Sequence, residues 1–501
     1  MDVIVPTRYG KLRGRDSGGV AAFLGVPYAA PPFGPRRMRP PQPPEPWTGE
    51  RDALAFGPTA PQPGYTPPMD ALIPNAENTG EDCLNLNVWT PAPGATGGGL
   101  PVMVWIHGGA FINGAGSLDL YHGARLAADG VVCVTLNYRL GPEGFLLLPD
   151  GTANLALLDM LAALHWVQEN IAAFGGDPGT VTVFGESAGA MNICTLLAMP
   201  AARGLFHRAI AQSGAGHHTH SAEVGRRITE RLAALAGVEH TTEALAAASP
   251  QRLMAANTAL AQELAGTRDT RLWGEAANGS VTVLPVVDGA TLPVRPVDAA
   301  AAGAGAQIPL LIGTNTDEAR FFVVPRGIHH HLTEDALRTV LTACGADPDR
   351  ALARYRATRP EAGWGDLFCT ALTDQAYRVP AVRMAEARAV HGADTYVYEF
   401  AWPSPALDGT LGACHACEID FVFGNTTGRL TGAAAPRELS DQMRGAWTAF
   451  ARTGDPGTGG GLLPRWPAYG ERRSVLRLGD GPPAVRHDPA AEERILWEGI
   501  R

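Results

Sequence analysis

The stretch TVTVFGESAGA, Thr180–Ala190, is the one around which the rest of the sequence is organised. Its β-branched and apolar first half, Thr180–Phe184, predicts a buried strand, and Met191–Met199 predicts an apolar helix. Between the two lies a G-x-S-x-G motif centred on Ser187. A serine at the tip of a strand-to-helix turn has strained backbone geometry, and a Cβ on either flanking glycine would collide with neighbouring chain. This context predicts that Ser187 is a nucleophile.

Short apolar strands alternate with helical segments through the chain. A helix is predicted over Ala156–Ile171, and the alanine-rich stretch Ala233–Ala265 predicts peripheral helices interrupted near Pro250. The predicted strands are Val3–Val5, Val20–Leu24, Glu81–Thr90, Pro101–Ile106, Val131–Leu136, Arg208–Gln212, Pro309–Ile312 and Thr395–Phe400. This alternation predicts an α/β fold, with a central, mostly parallel sheet flanked by helices and extra peripheral helices. Because such folds can keep one core at large size, we expect a single domain over residues 1–501.

The proline-rich segment Pro27–Pro46 cannot form a helix or a central strand. It is either low-complexity disorder or an ordered, extended wrap over the surface. Phe23, Tyr28, Phe33 and Trp47 supply apolar anchors, so we predict the ordered wrap.

Composition narrows the class of protein. With 45% hydrophobic and 18% charged residues, the sequence has the composition of a globular protein with a substantial core. A net charge of −10 argues against nucleic acid or an anionic membrane as a partner. The amino-terminal segment does not resemble a signal peptide, and no apolar run reaches the roughly 18–20 residues of a membrane span. The seven cysteines are scattered, so we expect reduced thiols and a cytoplasmic location.

A nucleophilic serine on such an elbow requires an oxyanion-binding loop upstream, and an acid and a histidine downstream. Upstream, the sequence HGGA follows the strand Pro101–Ile106. The backbone amides of Gly109 and Ala110 could act together with that of Ala188, the residue after the serine, on a tetrahedral oxyanion. A plain glycine turn is the alternative reading of this loop.

Downstream, the strand Pro309–Ile312 is followed by Asp317 and Glu318, and spacing alone leaves the choice between these two acids open. Carboxylates just past a strand's carboxyl end lie where active sites gather in parallel sheets. After the strand Thr395–Phe400, a loop carries a single histidine, His415, before an apolar segment. A loop histidine taken by itself is more often a surface residue.

Together these residues resemble the type-B carboxylesterase family, which includes the cholinesterases and bacterial para-nitrobenzyl esterases. The matching segments run nearly end to end: FLGVPYAAPP (23–32), EDCLNLNVW (81–89), HGGAFINGAGS (107–117), NYRLGPEGFL (137–146), NIAAFGGDPGTVTVFGESAGA (170–190), AQSGAG (211–216), GTNTDEARFF (313–322), ACHACEIDFVFGN (413–425) and AWTAFARTGDP (446–456). The resemblance implies an α/β-hydrolase fold and a serine carboxylesterase that acts on short-chain or aromatic esters through an acyl-enzyme. The implied partner is a small-molecule ester, and the implied assembly is a monomer or weak homo-oligomer.

The resemblance also assigns roles that spacing leaves open. It implies Glu318 as the triad acid and His415 as the base. It implies that Glu186 is a buried carboxylate supporting the site and that Ser213 lies near the catalytic histidine. Ala110 stands in place of the third glycine of the commoner HGGG, as in the bacterial para-nitrobenzyl esterases. The chemistry requires no metal or organic cofactor.

Other sequence features bear on the substrate, on metal binding and on alternative functions. The segment upstream of EDCL has no tryptophan to hold a quaternary ammonium, which argues against a choline ester, and Cys83 has no obvious disulfide partner. Cys414 and Cys417 have C-x-x-C spacing, but a zinc site needs a second ligand pair. The histidines of 217–220 and 329–331 are more readily explained as loop residues than as metal ligands. A lipase, thioesterase, carbamate hydrolase or amidase would use the same triad, and a non-catalytic, adhesion-type binding module is the alternative from another class.

Overall fold

The computed structural model describes residues 1–95, 99–267, 269–278, 281–425, 428–458 and 461–500. Fifteen strands lie within these residues. They are β1 Asp2–Thr7, β2 Gly10–Ser17, β3 Val20–Pro27, β4 Glu50–Asp52, β5 Asn85–Thr90, β6 Leu100–Ile106, β7 Val132–Leu136, β8 Gly176–Glu186, β9 Arg208–Gln212, β10 His220–Ser221, β11 Val286–Val287, β12 Leu310–Asn315, β13 Thr395–Phe400, β14 Ser474–Leu478 and β15 Ala484–His487.

The α-helices of the described residues fall between and after these strands. They are α1 Ala124–Ala128, α2 Gly141–Phe145, α3 Leu155–Asn170, α4 Ala188–Ala198, α5 Ala222–Ala236, α6 Thr242–Ala247, α7 Pro250–Thr267, α8 Thr270–Trp273, α9 Pro296–Ala301, α10 Arg320–Val323, α11 Glu334–Ala343, α12 Pro348–Thr358, α13 Trp364–Thr373, α14 Val379–Ala389, α15 Ile419–Phe423, α16 Arg437–Thr453 and α17 Ala491–Arg494. Among the residues described, no helix is long and apolar enough to cross a membrane.

The large sheet has the strand order β1-β2-β3-β5-β7-β6-β8-β9-β12-β13-β14-β15, with β4 paired to β2. The seven neighbouring strands β7, β6, β8, β9, β12, β13 and β14 run parallel. The remaining pairs along this order are antiparallel, and β4 pairs with β2 in parallel. Parallel strands are connected by crossovers that place helices on both faces of a sheet. The predicted α/β architecture, with a mostly parallel sheet and peripheral helices, is confirmed.

The strand predictions differ from the structure mainly at their ends. The predicted strand Glu81–Thr90 is right in its second half, since the strand begins at Asn85 and all six of its residues are buried. It lies inside the sheet with both faces covered. Six strands were missed, namely β2, β4, β10, β11, β14 and β15. In Gly10–Ser17 the many charged and glycine residues conceal the short apolar pattern.

The proline-rich segment is an ordered wrap, as predicted, and contains only a single helical turn at Gly34–Arg36. Tyr28 and Phe33 are buried as anchors, and the Tyr28 hydroxyl donates a hydrogen bond of 2.6 Å to the carbonyl of Asn137. Arg37, within the wrap, forms a buried ion pair with Glu143 of α2. Because a buried charge needs a partner of opposite charge, this ion pair holds the proline-rich segment against α2.

The turn from β8 into α4 packs directly against the end of β6. A Cβ on Gly189 would overlap the carbonyl oxygen of Ile106, and a Cβ on Gly185 would overlap the same oxygen. Ile106 and Gly185 are register partners in neighbouring strands, so neither chain can move away without breaking the ladder. The two glycines of the motif are therefore required by close approach of backbone to backbone.

We expect Gly189→Ala to destabilise the protein by about 3 kcal/mol or more, because overpacking against backbone cannot be relieved by a side-chain rotation. Urea unfolding followed by circular dichroism measures this. Gly266→Ala is the matched control, since nothing lies within 4 Å of a Cβ added at that helical position. It should leave the unfolding free energy unchanged or slightly higher. Equal stability of the two variants would contradict the packing argument.

Candidate active site

Ser187 occupies the turn between β8 and α4 with φ +54° and ψ −125°, a backbone conformation that side-chain-bearing residues rarely adopt. Its amide donates a hydrogen bond of 2.9 Å to the carbonyl of Gln212 at the end of β9. Its own carbonyl accepts a bond of 2.9 Å from the amide of Met191 in the first turn of α4. Flanking structure thus holds a half-buried serine in a strained turn at the carboxyl edge of the sheet.

The HGGA loop after β6 lies against this turn. A Cβ on Gly108 would lie 2.9 Å from Oε2 of Glu186 and 3.0 Å from Cβ of Ser187. Gly109 and Ala110 both have positive φ, of +116° and +53°. Gly109 is half-buried and Ala110 is exposed, so this backbone faces an accessible site. The structure therefore places this loop beside the serine through Gly108, and Ala188, the residue after the serine, begins α4.

The segment that contains Gln62 and Gly64 makes hydrogen bonds to the same loop. Gln62 exchanges two hydrogen bonds with Gly114, its side-chain amide donating at 3.0 Å and its side-chain oxygen accepting at 2.8 Å. The amide of Gly64 donates to Oδ1 of Asn113 at 2.9 Å. No local motif marks these contacts, because they join positions about fifty residues apart.

His107, the first residue of the loop, packs inside the molecule. Its ring stacks on that of Tyr138 with centroids 4.4 Å apart and planes 17° apart, and the Tyr138 hydroxyl donates to the His107 carbonyl at 2.7 Å. Burial lowers the pKa of His107 to about 4, so the ring is neutral. His107 therefore stabilises the loop as a buried, neutral residue packed against Tyr138.

Glu318 and His415 meet across the edge of the sheet. Nδ1 of His415 donates a hydrogen bond of 2.6 Å to Oε2 of Glu318, and both side chains are buried. The other oxygen, Oε1, accepts a bond of 2.8 Å from the amide of Asn315. The carboxylate thereby fixes both the tautomer and the direction of the imidazole.

Asp317, the competing acid in the sequence, has a different set of contacts. It is half-buried, forms an ion pair with Arg320 at 3.3 Å, and its Oδ2 accepts a bond of 3.1 Å from the amide of Ala413. Its own amide donates to the carbonyl of Ala413 at 2.9 Å. Asp317 therefore joins the loop of Glu318 to the loop of His415, while only Glu318 contacts the imidazole.

Glu186 approaches the opposite nitrogen of the same ring. Its Oε1 lies 3.0 Å from Nε2 of His415, and both groups are buried. Burial raises the pKa of Glu186 to about 8, and the nearby carboxylates of Glu418 and Glu318 add to this while His415 opposes it. Burial lowers the pKa of His415, but the carboxylates of Glu186 and Glu318 outweigh it and raise this pKa to about 9. The imidazole is thus easier to protonate than usual.

Glu418, three residues after the histidine, is a buried acid that sequence reasoning missed. Its carboxylate accepts hydrogen bonds from the side-chain amides of Gln212 at 3.1 Å and Asn315 at 2.6 Å. Asn315 also donates to the carbonyl of Cys414 at 2.7 Å, which holds the histidine loop. Burial raises the pKa of Glu418. The run ACHACEIDF contained the signal, because an acid inside an apolar segment needs a reason to be buried.

Ser213 follows Gln212 at the end of β9 and is fully buried with φ +52°. Its amide donates to the carbonyl of Gly313 at 2.8 Å. Its hydroxyl oxygen has no hydrogen-bond partner within the part of the chain that the structure describes. Because the preceding residue, Gln212, accepts the hydrogen bond from the Ser187 amide, Ser213 lies next to the elbow.

The described ranges contain no group of three or more His, Cys, Asp or Glu arranged to hold a metal ion. Cys414 and Cys417 are buried on either side of the histidine, and their contact with each other, together with burial, raises the pKa of Cys417. The predicted loop placement of the other histidines is only partly right. His220 is buried in a short strand with Nε2 3.1 Å from the Thr282 carbonyl, and His329 lies 3.1 Å from Asp366.

Known proteins match nearly all of this chain. The carboxylesterase family model matches residues 1–497. A para-nitrobenzyl esterase of Bacillus subtilis is 40% identical over 98% of this chain and 97% of its own length, and a phenmedipham hydrolase of Pseudarthrobacter oxydans is 35% identical over 98% of each. A carboxylesterase of Geobacillus stearothermophilus superposes with a TM-score of 0.86 at 38% identity, covering 99% of both chains. A thermophilic para-nitrobenzyl esterase gives 0.84 at 39% identity, covering 98% of this chain and 99% of its own.

The sheet order, the elbow serine and the acid–histidine pair at its carboxyl edge define an α/β-hydrolase. The chain belongs to the carboxylesterase family, and it is a serine carboxylesterase that hydrolyses carboxylic esters of small molecules. The resemblance stated from the sequence is confirmed.

We expect nuclear magnetic resonance titration of the His415 ring to give a pKa above 6.5, the ordinary value for histidine. Glu186→Gln removes the first of the two carboxylates that favour the imidazolium, so this pKa should fall by about one unit or more. Glu399→Gln is the control, since Glu399 is half-buried but paired with Arg477. A His415 pKa that Glu186→Gln leaves unchanged would contradict the electrostatic assignment.

Proposed function

We propose that Ser187, His415 and Glu318 form the catalytic triad of this carboxylesterase. The observation that carries the proposal is the 2.6 Å hydrogen bond from His415 Nδ1 to Glu318, on an imidazole whose Nε2 lies 3.0 Å from Glu186, the residue just before Ser187. In this arrangement the neutral imidazole, which is the form present above the raised pKa of His415, takes the Ser187 proton on Nε2 as the hydroxyl attacks the ester carbonyl. The hydrogen bond between a catalytic serine and its histidine is often long or poorly aligned without substrate and tightens when substrate binds. Glu318 holds the tautomer and stabilises the imidazolium that forms.

The negative charge that develops on the carbonyl oxygen is received by the backbone amides of Gly109, Ala110 and Ala188. Support comes from the positive φ values of Gly109 and Ala110 and from the contact of their loop with the elbow. Each such donor contributes about 3 kcal/mol to lowering the barrier. The alcohol then leaves with the proton from His415, and water hydrolyses the acyl-enzyme by the same proton transfers in reverse.

Glu186 and Ser213 support these residues without reacting. Glu186 lies 3.0 Å from the Nε2 atom that must carry the proton, so the ionised form of this carboxyl group favours the imidazolium that forms during attack. Ser213 sits in strained backbone next to Gln212, whose carbonyl accepts the amide of Ser187. A shift of Ser213 would therefore be transmitted to the elbow through one residue.

The proposed substrates are small short-chain or aromatic esters. The support is the set of rings next to His415, formed by Phe321, Phe322 and Tyr377, two of which are only partly buried. Flat apolar walls near the reacting atoms suit an aromatic acyl or alcohol group. The likeness to a para-nitrobenzyl esterase points the same way. We also propose a cytoplasmic location, supported by buried cysteines such as Cys83, which form no disulfide.

We expect the enzyme to hydrolyse para-nitrophenyl acetate and butyrate faster than the laurate ester. Ser187→Ala should lower kcat by about 10⁴-fold or more, because the nucleophile is lost. Initial rates across the series, with the variant's folding checked by circular dichroism, measure both. A maximum at laurate would favour a lipase, and an equally active Ser187→Ala would exclude this serine as the nucleophile.

The two adjacent acids give a second, matched test. Glu318→Gln should reduce kcat by roughly 10³–10⁴-fold, because the amide cannot hold the imidazole tautomer or stabilise its charge. Asp317→Asn, one residue away, should reduce kcat by about tenfold or less, since its contacts join loops and do not reach the ring. Steady-state kinetics on para-nitrophenyl acetate compare the two variants. The reverse order of losses would assign the triad acid to Asp317.

A further inference from the structure

Aromatic rings enclose the part of the His415 imidazole that the carboxylates leave open. The ring centroids of Tyr377 and Phe322 lie 4.9 and 5.1 Å from the imidazole centroid, and that of Phe321 lies at 6.0 Å. The Tyr377 and Phe322 rings are almost parallel to each other, with 4° between their planes and 6.4 Å between their centroids. Because Nδ1 is held by Glu318, these rings can limit rotation of the imidazole about that hydrogen bond.

Tyr377 comes from an irregular place in its helix. Helices α13 and α14 are continuous through a π-helical turn, Asp374–Arg378, in which the amide of Val379 donates to the carbonyl of Asp374, five residues earlier. One extra residue in a helical turn rotates the following side chains by roughly 100° relative to a regular α-helix. The turn therefore determines which side of the helix Tyr377 occupies. Such single π turns occur frequently at functional sites.

The sequence and two buried contacts account for the turn. Pro380, just after it, has no amide hydrogen, and its ring would clash with the carbonyl of the residue four positions earlier in a regular helix. The Asp374 carboxylate accepts hydrogen bonds from Nε of Arg378 at 2.7 Å and from the hydroxyl of Tyr355 at 2.8 Å. The indole of Trp497 donates to that hydroxyl at 3.1 Å. The turn is thus anchored at one end by a proline and at the other by a buried network.

We propose that Tyr377 is a positioning residue for His415: its ring, carried on the π-helical turn and paired with Phe322, keeps the imidazole aligned between Glu318 and the serine elbow. This inference rests on the proposed role of His415 as the general base. Burial and the carboxylates of Glu318 and Glu186 raise the pKa of the Tyr377 hydroxyl well above its ordinary value, so the ring stays uncharged. A neutral aromatic ring near the imidazole also favours the imidazolium formed during attack.

The test compares Tyr377→Leu, which removes the ring, with Tyr377→Phe, which keeps it. We expect Tyr377→Leu to lower kcat on para-nitrophenyl acetate at least tenfold with KM within twofold of wild type. The far-downfield proton resonance of the His415–Glu318 hydrogen bond should broaden or disappear. Tyr377→Phe should retain both the kcat and the resonance. Phe368→Leu is the matched control, because Phe368 is half-buried on the same helix and packs with Cys369 and Val323.

Three results would overturn the inference. The first is a Tyr377→Leu variant with wild-type kcat and resonance, and the second is a Tyr377→Leu variant in which only KM is impaired. The third is a Tyr377→Phe variant as damaged as Tyr377→Leu, which would assign the effect to the hydroxyl. If Tyr377→Leu does not fold, Phe322→Leu is judged by the same criteria. Failure of the proposed function is a separate result, seen as ester hydrolysis that survives Ser187→Ala.

Discussion

The close approach of the elbow to the end of β6 is the constraint on which the site depends. The carbonyl of Ile106 leaves no room for a Cβ at Gly185 or Gly189, and Gly108 is pressed in turn against Ser187 and Glu186. Backbone strain at the serine persists because the neighbouring strands determine its position from both sides. Ser187, the proposed nucleophile, and the HGGA loop, the proposed oxyanion loop, are consequently parts of one packed unit, and neither can be adjusted without the other.

The second requirement of the site is that its buried carboxylates have compensating partners. Glu186, Glu318 and Glu418 are buried around a single imidazole, and none of them could be ionised cheaply alone. Hydrogen bonds from Gln212 and Asn315 satisfy Glu418, and His415 itself offsets the other two. The cluster favours a positive imidazole, which is the state that the proposed attack by Ser187 would form. The charged groups that stabilise the imidazolium are therefore in place before the substrate binds.

The order of the strands in the sheet brings the packed elbow and the buried carboxylates to the same edge. β6, β8, β9, β12 and β13 are neighbours, and their carboxyl ends lead into the HGGA loop, Ser187, Ser213, Glu318 and the loop of His415 respectively. Asp317 ties the last two loops together through Ala413, and the π-helical turn brings Tyr377 to the same place. Residues separated by up to about three hundred positions thus meet because parallel strands end at one edge.

The sequence by itself determined the alternation of strands and helices, the G-x-S-x-G elbow and the family, because these depend on local pattern and on motifs of contiguous residues. It left Asp317 and Glu318 equivalent by spacing, and only the resemblance separated them. The tertiary structure decided what no local pattern carries: that Glu318 reaches His415, that Glu186 approaches Nε2, that Glu418 is buried nearby, and that Tyr377 faces the imidazole. The physical reason is that hydrogen bonding, burial and ring packing act between residues brought together by the sheet, at distances along the chain over which sequence periodicity holds no information.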